Sequence, residues 1–435
     1  MANNKTISPT ICAVPWTHLN IEPDGKVIPC CLTSPYKYYS GDVQTESIET
    51  IWNSEPQRRL RRQMMQGEEP AICATCFDRE RLTGESGRTY KNKHFQDVIA
   101  QIPEITDAEG YTPVNLLYWD FRFSNLCNFK CRSCGPRYSS AWIPDAKALW
   151  GVPEDKAAQK VWSIQAVHDR SNLDMITDHI DTVRRIYFAG GEPLLHDEHW
   201  AILRLLRERQ RQNSVVVNYN TNLSMLEYHG ESVLDYWREY PMGHLDIWPS
   251  LDEIGARAEL IRSGTSWNTI VRHLEQVCAL ENVIVRPGIT VGAWNVQRLP
   301  EIITELVRLK VIRHYPGQGK HLHYNNFFFN VIRFPSHYHM HVLPDAVKDA
   351  TRHKLRAFIE TYNAQYDCRV DTLFEEVLGE LEQPFNPHEA RNFVKMTAKM
   401  DALRQEDLYQ VIPEMECVRA SVRAMDSDLG NDRVV

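Results

Sequence analysis

The chain contains 435 residues and carries a net charge of −8 at pH 7, with 43% hydrophobic and 24% charged residues. It has no run of about 18 apolar residues and no signal-peptide pattern at its start, which predicts a cytoplasmic protein that does not span a membrane. The negative net charge gives no general basic surface for nucleic acid. A chain of this length is expected to fold into two or three domains.

The first cysteines in the chain flank a predicted β-hairpin. Asp24-Gly25 lies between THLNIEP and KVIPCC, and this pair is typical of a two-residue hairpin turn in which the glycine adopts a positive φ. The hairpin would bring Cys30 back beside Leu19 and carry the chain toward Cys12. Cys31 is then a spare thiol, which either shields the site or replaces Cys30 as a ligand.

A CxxC knuckle follows at Cys73 and Cys76, of the kind found at many zinc and iron–sulfur sites. Together with Cys12 and Cys30 it supplies four thiols, which is enough to close a tetrahedral site. Spacing alone does not distinguish a structural zinc from an iron–sulfur cluster.

A tighter cysteine triplet lies in the run SNLCNFKCRSCGP. Cys127, Cys131 and Cys134 form a CxxxCxxC motif. Three thiolates at this spacing suit a cluster of four irons, and they leave one iron without a protein ligand. An open coordination position on a metal is typical of a catalytic site rather than a structural one.

The segment RRIYFAGGEPLLH predicts a short strand that ends in a turn at Gly190, Gly191, Glu192 and Pro193. Glycines let the backbone turn sharply and approach a ligand, and a glutamate can accept hydrogen bonds from an ammonium group. The CxxxCxxC motif followed by this GGEP turn resembles the radical S-adenosylmethionine (SAM) superfamily. The resemblance implies that the triplet holds a [4Fe–4S] cluster, that the open iron binds SAM, and that GGEP holds the SAM ammonium group.

One position departs from the pattern of that family. The residue before the third cysteine is usually aromatic or bulky and apolar, and here it is Ser133. Phe129, between the first two cysteines, is the residue that we expect to shield the adenine side instead.

The middle of the chain alternates strands and helices. Apolar, β-branched runs predict strands at 114–121, 185–189, 214–220, 244–251, 282–291 and 324–330. Between them lie helical patterns such as EHWAILRLLRERQ, in which Trp200, Leu203 and Leu206 share one face. This α/β alternation predicts βαβ units, a parallel sheet and, with the family resemblance, a partial (β/α)6 barrel. Both the cysteine loop and GGEP follow strands, where parallel barrels build their active sites.

Further SAM contacts are expected at other strand ends. Ser250 ends the fourth strand, and Arg262 lies in AELIRSGTSW, which looks like the segment that places an arginine near the SAM carboxylate in relatives. Asn220-Thr221-Asn222 and Asp252 are weaker candidates that fit turn or capping roles equally well.

The N-terminal cysteines resemble the first half of a SPASM domain, with Cys12, Gly25, Cys30 and the Cys73–Cys76 knuckle in the expected order. The later cysteines that bind a second auxiliary cluster in SPASM domains are absent. This resemblance implies the shorter Twitch form with one auxiliary [4Fe–4S] cluster. Relatives usually carry this domain after the barrel, whereas here it comes first.

The predicted domains are a Twitch-like module at 1–95, the barrel at 96–335 and a helical extension at 336–435. The extension is predicted to cover the open side of the barrel. HYHMH at 337–341 is interpreted as a loop rather than a metal site, and the solitary cysteines are expected to be buried apolar residues; these are Cys278, Cys368 and Cys417.

The function that the resemblance implies is reductive cleavage of SAM to a 5′-deoxyadenosyl radical, which removes hydrogen from an unknown substrate. The auxiliary cluster would accept an electron, hold the substrate or relay electrons, and a donor such as flavodoxin or ferredoxin would reduce the enzyme. No side chain is assigned a catalytic role, because the cofactors perform the chemistry. The alternatives are a structural zinc in the N-terminal module, a nucleic-acid or peptide modification enzyme, and a non-catalytic iron–sulfur protein.

An auxiliary cluster assists catalysis only if it lies within reach of the substrate. We therefore expect the hairpin at Asp24-Gly25 and the Cys73–Cys76 knuckle to fold against the open, carboxyl-terminal end of the barrel, with 84–113 as the connection. Cysteines at the amino-terminal ends of the strands would indicate a structural cluster instead.

Overall fold

The computed structural model describes residues 7–33, 38–154, 173, 177–314 and 327–431. The strands in these residues are β1 (His18–Ile21), β2 (Lys26–Ile28), β3 (Gly41–Asp42), β4 (Tyr118–Phe121), β5 (Arg185–Phe188), β6 (Val216–Thr221), β7 (Glu227–Tyr228), β8 (Glu231–Ser232), β9 (Leu245–Pro249), β10 (Val283–Val285), β11 (Gly288–Val291) and β12 (Phe328–Val331).

The α-helices are α1 (Ile48–Trp52), α2 (Glu55–Met65), α3 (Ala74–Thr83), α4 (Gly87–His94), α5 (Gln96–Ile105), α6 (Ile143–Trp150), α7 (Asp197–Glu208), α8 (Val233–Trp237), α9 (Gly255–Ile261), α10 (Trp267–Cys278), α11 (Leu299–Arg308), α12 (Asp345–Tyr366), α13 (Asp371–Glu380), α14 (Pro387–Arg404), α15 (Leu408–Val411) and α16 (Glu416–Asn431).

The chain divides into two compact units. The first unit consists of Met1–Leu126, Asp155–Asn220 and Asp235–Leu245, and the second of Cys127–Glu154, Thr221–Leu234 and Asp246–Val435.

The first unit contains a sheet in the order β6-β5-β4-β1-β2-β3. Strands β4, β5 and β6 pair in parallel, and β1 joins β4 in parallel as well, whereas β2 and β3 are antiparallel additions. The predicted hairpin is present, with Gly25 at a φ of +83°. Its connection runs from Glu22 to Gly25, so it is longer than the two residues predicted.

One face of this sheet is covered by α7. Trp200, Leu203 and Leu206 are buried there, as the helical pattern predicts. On the same face the ring of Phe188 lies 4.7 Å from that of His199, and the His199 Nε2 lies 2.8 Å from the hydroxyl of Tyr219. Because neighbouring residues of a strand point to opposite faces, the residues that alternate with these lie on the other face.

The second unit contains β9 to β12 and most of the later helices. Strands β11 and β12 pair in parallel. The predicted strand at 282–291 is interrupted at Arg286 and Pro287 and forms β10 and β11, because proline provides no N–H for a sheet ladder. The predicted strand at 324–330 is confirmed in part by β12, and 324–326 lie outside the described residues. The predicted helices of the tail are confirmed by α12, α13 and α14.

The predicted α/β class is therefore confirmed, with parallel strands separated by helices and a helical C-terminal region. The local differences are the two-residue hairpin, the single strand at 282–291 and the strand predicted at 114–121, of which only Tyr118–Phe121 forms a strand.

Candidate functional site

The CxxxCxxC motif lies in an irregular loop that follows β4. Cys131 is 8% exposed, and Cys127 and Cys134 are half-buried. Burial, together with the charges of Cys131 and Cys127, raises the pKa of Cys134 to about 12, which reflects how close the three thiols lie. Burial also raises the pKa of Cys131, against the opposing charge of Arg262. Three thiols that gather in one buried loop fit the donor set of an iron–sulfur cluster.

Backbone hydrogen bonds join this loop to the end of α9. The N–H of Lys130 donates to Ser263 O at 2.9 Å, and the N–H of Arg132 donates to Ile261 O at 2.7 Å. Gly264 follows at a φ of +106°, and a Cβ there would lie 2.8 Å from the carbonyl oxygen of Asn128. The position therefore requires glycine, and the pairing places Arg262 beside the cysteines.

Arg262 forms an ion pair with Asp252, at 2.7 Å, and its guanidinium lies 5.9 Å from the centre of the Phe129 ring. Burial opposes the charged form of Arg262, but the charges of Cys131 and Asp252 outweigh it and raise the pKa of the guanidinium. The side-chain amide of Asn222 lies 3.8 Å from the Sγ of Cys127 and donates to Asn128 at 2.9 Å.

A small cavity opens beside this arrangement. It brings together Phe129, Ser250 and Arg262, which were expected to contact SAM, and Asn222, which was a weaker candidate. Its other lining residues are Leu251, Glu253, Ala258, Thr265, Trp267 and Ile270. The apolar wall formed by Leu251, Trp267 and Ile270 was not predicted, because these residues look like ordinary core positions in the sequence.

The GGEP turn lies in the first unit, at the carboxyl end of β5. Gly190 and Gly191 have φ values of +83° and +54°. A Cβ on Gly191 would lie 2.3 Å from the carbonyl oxygen of Leu126, the residue before Cys127, and the N–H of Glu192 donates to the same oxygen at 2.8 Å. The turn therefore packs closely against the residue that precedes Cys127.

The side chain of Glu192 is fully buried, and it accepts a hydrogen bond from the N–H of Leu194 at 3.2 Å. This bond fixes the carboxylate at the start of the short helical turn Pro193–Leu195. Its contact with a SAM ammonium group stays a prediction.

The N-terminal cysteines gather around a second small cavity, in the first unit. Four thiols line it, namely those of Cys12, Cys30, Cys73 and Cys76, and Cys31 does not line it. The other lining residues are Val14, Pro15, Pro29, Leu32, Leu60, Met64, Ile72, Thr75 and Arg88.

The pKa shifts of these thiols show that they lie close to one another. Burial raises the pKa of Cys12 to about 12, with the hydrogen bond to the backbone of Val14 opposing the shift and the charges of Cys30 and Cys76 contributing to it. The pKa of Cys73 is raised by burial and then by the charges of the other three. Four mutually close thiols in an apolar cavity fit an iron–sulfur cluster, and Cys30 rather than Cys31 completes the set.

Two residues that support this cavity were not predicted from the sequence. The side chain of Asn92, in α4, forms hydrogen bonds with the residues on both sides of Cys12. It accepts from the N–H of Ala13 and donates to the carbonyl oxygen of Ile11, both at 2.8 Å. The guanidinium of Arg88 is paired with Glu80, lies 4.8 Å from the centre of the Phe77 ring and lines the cavity. Neither residue belongs to a recognisable motif.

The predicted position of the N-terminal cysteines is wrong. Cys12 precedes β1 and Cys30 follows β2, which is antiparallel to β1, so both lie toward the amino-terminal end of β1. Because β1 is parallel to β4 and β5, this is also the amino-terminal end of those strands. GGEP follows β5 at the opposite, carboxyl-terminal end. The hairpin joins the edge of the sheet in parallel, instead of folding over its carboxyl-terminal end.

The C-terminal helices hold the cysteine loop through a buried charge network. Arg132, whose side chain is 0% exposed, is paired with Asp401 of α14 and with Glu406, the latter at 2.6 Å. Glu406 also accepts from the hydroxyl of Ser263 at 2.8 Å, and Arg404 is paired with Asp145 at 2.7 Å. These contacts give the C-terminal extension a role in anchoring the loop.

The histidine run at 337–341 makes local contacts. His339 lies 3.2 Å from a carboxylate oxygen of Glu380, and its Nδ1 accepts from the N–H of His341 at 3.1 Å. Within the described residues, no group of three or more His, Cys, Asp or Glu side chains is arranged to hold a single metal ion.

The solitary cysteines are only partly as predicted. Cys368 is buried, whereas Cys278 and Cys417 are half-buried.

Comparison with protein families matches residues 12–77 to SPASM, an iron–sulfur cluster-binding domain, and residues 121–281 to the radical SAM superfamily. None of the curated proteins matches the chain. No helix in the described part of the chain is long and apolar enough to cross a membrane.

Among solved structures, native anSMEcpe with bound AdoMet is 14% identical, with a TM-score of 0.38 over 57% of this chain and 61% of that chain. SuiB of Streptococcus suis bound to S-adenosylmethionine is 12% identical, with a TM-score of 0.37 over 84% of this chain and 72% of that chain. A third structure, SuiB bound to its precursor peptide SuiA, is 10% identical, with a TM-score of 0.35 over 79% of this chain and 64% of that chain. The chain therefore spans about three fifths of the length of the anSMEcpe structure.

Proposed function

We propose that this chain cleaves SAM reductively and removes hydrogen from a substrate. The basis is its radical SAM domain, in a partial (β/α)6 barrel, which follows an N-terminal SPASM iron–sulfur domain in the sequence. The observation that carries the proposal is the cavity beside the cysteine loop, which gathers Phe129, Ser250 and Arg262.

Cys127, Cys131 and Cys134 would hold the catalytic [4Fe–4S] cluster. When bound, this cluster supplies the electron that breaks the C5′–S bond of SAM and gives methionine and a 5′-deoxyadenosyl radical. The protein contributes the three thiolates, the orientation of SAM and the exclusion of water.

Arg262 is suited to bind the carboxylate of SAM, because its guanidinium stays charged and presents several donors in one plane. Asp252 fixes it through the 2.7 Å ion pair. Phe129 and the apolar wall of the cavity would pack against the adenine, which gives the cover that Ser133 does not provide. Ser250 would donate or accept a hydrogen bond at the rim.

The GGEP turn would hold the ammonium group of SAM. Glu192 carries the charge for this contact, and the two glycines bring the backbone of the turn against Leu126. Pro193 ends the segment and begins the short helical turn that carries Leu194.

The N-terminal cavity would hold one auxiliary [4Fe–4S] cluster on Cys12, Cys30, Cys73 and Cys76, as in a Twitch domain. The match to an iron–sulfur domain model favours this over a structural zinc. A second auxiliary cluster would need further thiols, and the three remaining downstream cysteines are far apart in sequence.

The amino-terminal position of the auxiliary site argues against a catalytic role for its cluster. Cys12 and Cys30 lie toward the amino-terminal end of β1, whereas GGEP follows β5 at the opposite, carboxyl-terminal end. We therefore infer that this cluster has a structural role.

A low-potential donor such as flavodoxin or ferredoxin would supply the electron, in the cytoplasm.

The domain limits at residues 95 and 335 stay predictions. The net charge of −8 supports a substrate other than nucleic acid.

The proposal is tested by the anaerobic reaction of the reconstituted, dithionite-reduced protein with SAM. We expect 5′-deoxyadenosine and methionine in equal amounts, at a slow rate even without substrate. Replacement of Cys127, Cys131 and Cys134 by alanine should abolish both products, and Cys278→Ala serves as the matched thiol control. Equal product formation by the triple variant and the wild type would refute the proposal.

A further inference from the structure

Helix α6 ends in an exposed aromatic side chain near the catalytic cysteine loop. Trp150 is the last residue of this helix and is 54% exposed, and Val152, two residues later, is 59% exposed. Among the tryptophans that the structure describes, no other is as exposed as Trp150. Because its large apolar ring loses water when a partner covers it, tryptophan is enriched at the centres of protein–protein contacts.

One further side chain joins the exposed ring to a cysteine of the catalytic loop. Trp150 stacks on the buried Trp142, with ring centres 5.8 Å apart and ring planes inclined by 2°. The indole N–H of Trp142 donates to the carbonyl oxygen of Cys131 at 2.7 Å. A stacked ring pair and one short hydrogen bond therefore connect the surface of the second unit with the backbone of the central cysteine of the CxxxCxxC motif.

The contacts around Trp142 hold this connection in place. Asp145, in α6, is paired with Lys130 at 3.2 Å and with Arg404 at 2.7 Å. The guanidinium of Arg404 also lies 4.9 Å from the centre of the Trp142 ring. The inner ring is thus fixed by buried charges, and the outer ring of Trp150 is the one that a partner can cover.

The charges beside the exposed ring favour a partner of negative charge. Lys147 lies three residues before Trp150 in α6, so the two side chains share one face of the helix. Lys147 is exposed, and it has no carboxylate partner among the residues that the structure describes. Glu154, an exposed acid, follows beyond the end of the helix. Since the whole chain carries a charge of −8, a local cation is needed to attract an acidic protein to this surface.

We propose that Trp150, Val152 and Lys147 form the docking surface for the one-electron carrier protein that reduces the catalytic cluster. The inference rests on the proposed function, because it names the surface through which that reaction receives its electron. In this step the reduced carrier loses one electron and the cluster gains it, and no bond or proton is exchanged. Electron-transfer complexes are weak and bury little surface, so a small patch around one aromatic residue is sufficient.

Docking is measured without electron transfer by calorimetric titration of the reconstituted protein with an oxidised flavodoxin and, separately, with an oxidised ferredoxin. Trp150→Ala should weaken the binding of the carrier about tenfold or more, because the central aromatic contact is lost. Lys147→Glu should weaken binding at low ionic strength and much less at about 0.5 M salt, where charges are screened.

Two variants serve as matched controls. Tyr111→Ala removes an aromatic side chain that is 53% exposed, and Lys310→Glu reverses the charge of another exposed lysine. Neither residue belongs to the docking surface, so both variants should bind the carrier as the wild type does.

The rate of cluster reduction separates docking from support of the loop. With reduced flavodoxin at a concentration below saturation, the cluster absorbance of Trp150→Ala should bleach about tenfold more slowly than that of the wild type. With dithionite, a small reductant that needs no docking surface, the two proteins should be reduced at equal rates and should form equal amounts of 5′-deoxyadenosine from SAM.

Three results would overturn the proposal. They are the absence of a complex with either carrier, equal affinities of Trp150→Ala and Tyr111→Ala for the carrier, and an equal slowing of Trp150→Ala with flavodoxin and with dithionite. The last result would make Trp150 a support of the loop alone. SAM cleavage with dithionite tests the proposed reaction without any carrier, so its failure and a failure of the docking surface are observed separately.

Discussion

Replacement of Arg132 by methionine tests whether the C-terminal helices anchor the catalytic cysteine loop. Arg132 lies between Cys131 and Cys134, and its side chain is 0% exposed while its partners Asp401 and Glu406 are 14% and 20% exposed. Removing one partner of a buried ion pair typically costs about 3–5 kcal/mol, because the remaining charge is left without compensation.

Here we expect the lower end of that range. Both carboxylates keep another partner, since Asp401 accepts from the N–H of Leu408 at 2.9 Å and Glu406 accepts from Ser263 at 2.8 Å. They can also gain water. A cost of about 3 kcal/mol would raise the population of the opened loop roughly 150-fold, since about 1.4 kcal/mol corresponds to a factor of ten.

The assay is the rate at which an iron chelator bleaches the cluster absorbance under anaerobic conditions. The matched control is Arg308→Met, which removes an exposed ion pair with Glu305 in the same unit and should cost less than about 1 kcal/mol. Cluster loss from Arg132→Met should be much faster than from this control. Equal rates in the two variants would show that the network does not hold the loop.

Three other substitutions probe the two cofactor sites. Cys30→Ala should lose the auxiliary cluster while Cys31→Ala keeps it, because only Cys30 lines the cavity. Iron analysis of both variants measures this, and the reverse result would make Cys31 the ligand instead of Cys30. Glu192→Gln keeps an acceptor for Leu194 but removes the charge, so SAM affinity measured by equilibrium dialysis should fall about tenfold or more; unchanged affinity would move the ammonium site elsewhere. Gly264→Ala places a Cβ 2.8 Å from the carbonyl oxygen of Asn128 and should lower the iron content of the catalytic loop. Gly255→Ala, whose Cβ would have no atom within 4 Å, should not lower it. Equal iron content in both variants would show that the cluster does not need the close approach of Gly264 to Asn128.

The parts of the fold that could be predicted from sequence are those encoded by neighbouring residues. The cysteine loop, the GGEP turn and the hairpin at Gly25 each depend on a few consecutive residues with distinctive backbone or ligand chemistry. Strand and helix periodicity then placed the cysteine loop and GGEP after strands. The grouping of Phe129, Ser250 and Arg262 was accessible only through the family resemblance, and the cavity supports it.

The features that were missed depend on contacts between distant parts of the chain. His18 pairs with Tyr118, a hundred positions away. Because this pairing is parallel, the N-terminal cysteines lie at the amino-terminal ends of β1 and β4. The hairpin strand has the same local pattern whichever edge it joins, so the sequence could not determine the direction. Arg132 and Asp401 are 269 positions apart, and a lone arginine in a cysteine loop does not identify its partner.

The iron and sulfide content of the anaerobically reconstituted protein tests most directly whether one chain builds two separate clusters. We predict about eight irons and eight sulfides per chain, as two [4Fe–4S] clusters. Alanine at Cys127, Cys131 and Cys134 should leave about four of each, and alanine at Cys12 and Cys73 should leave the other four. About four irons together with one zinc in the unsubstituted protein would contradict the auxiliary cluster, and a content unaffected by the triple replacement would contradict the catalytic one.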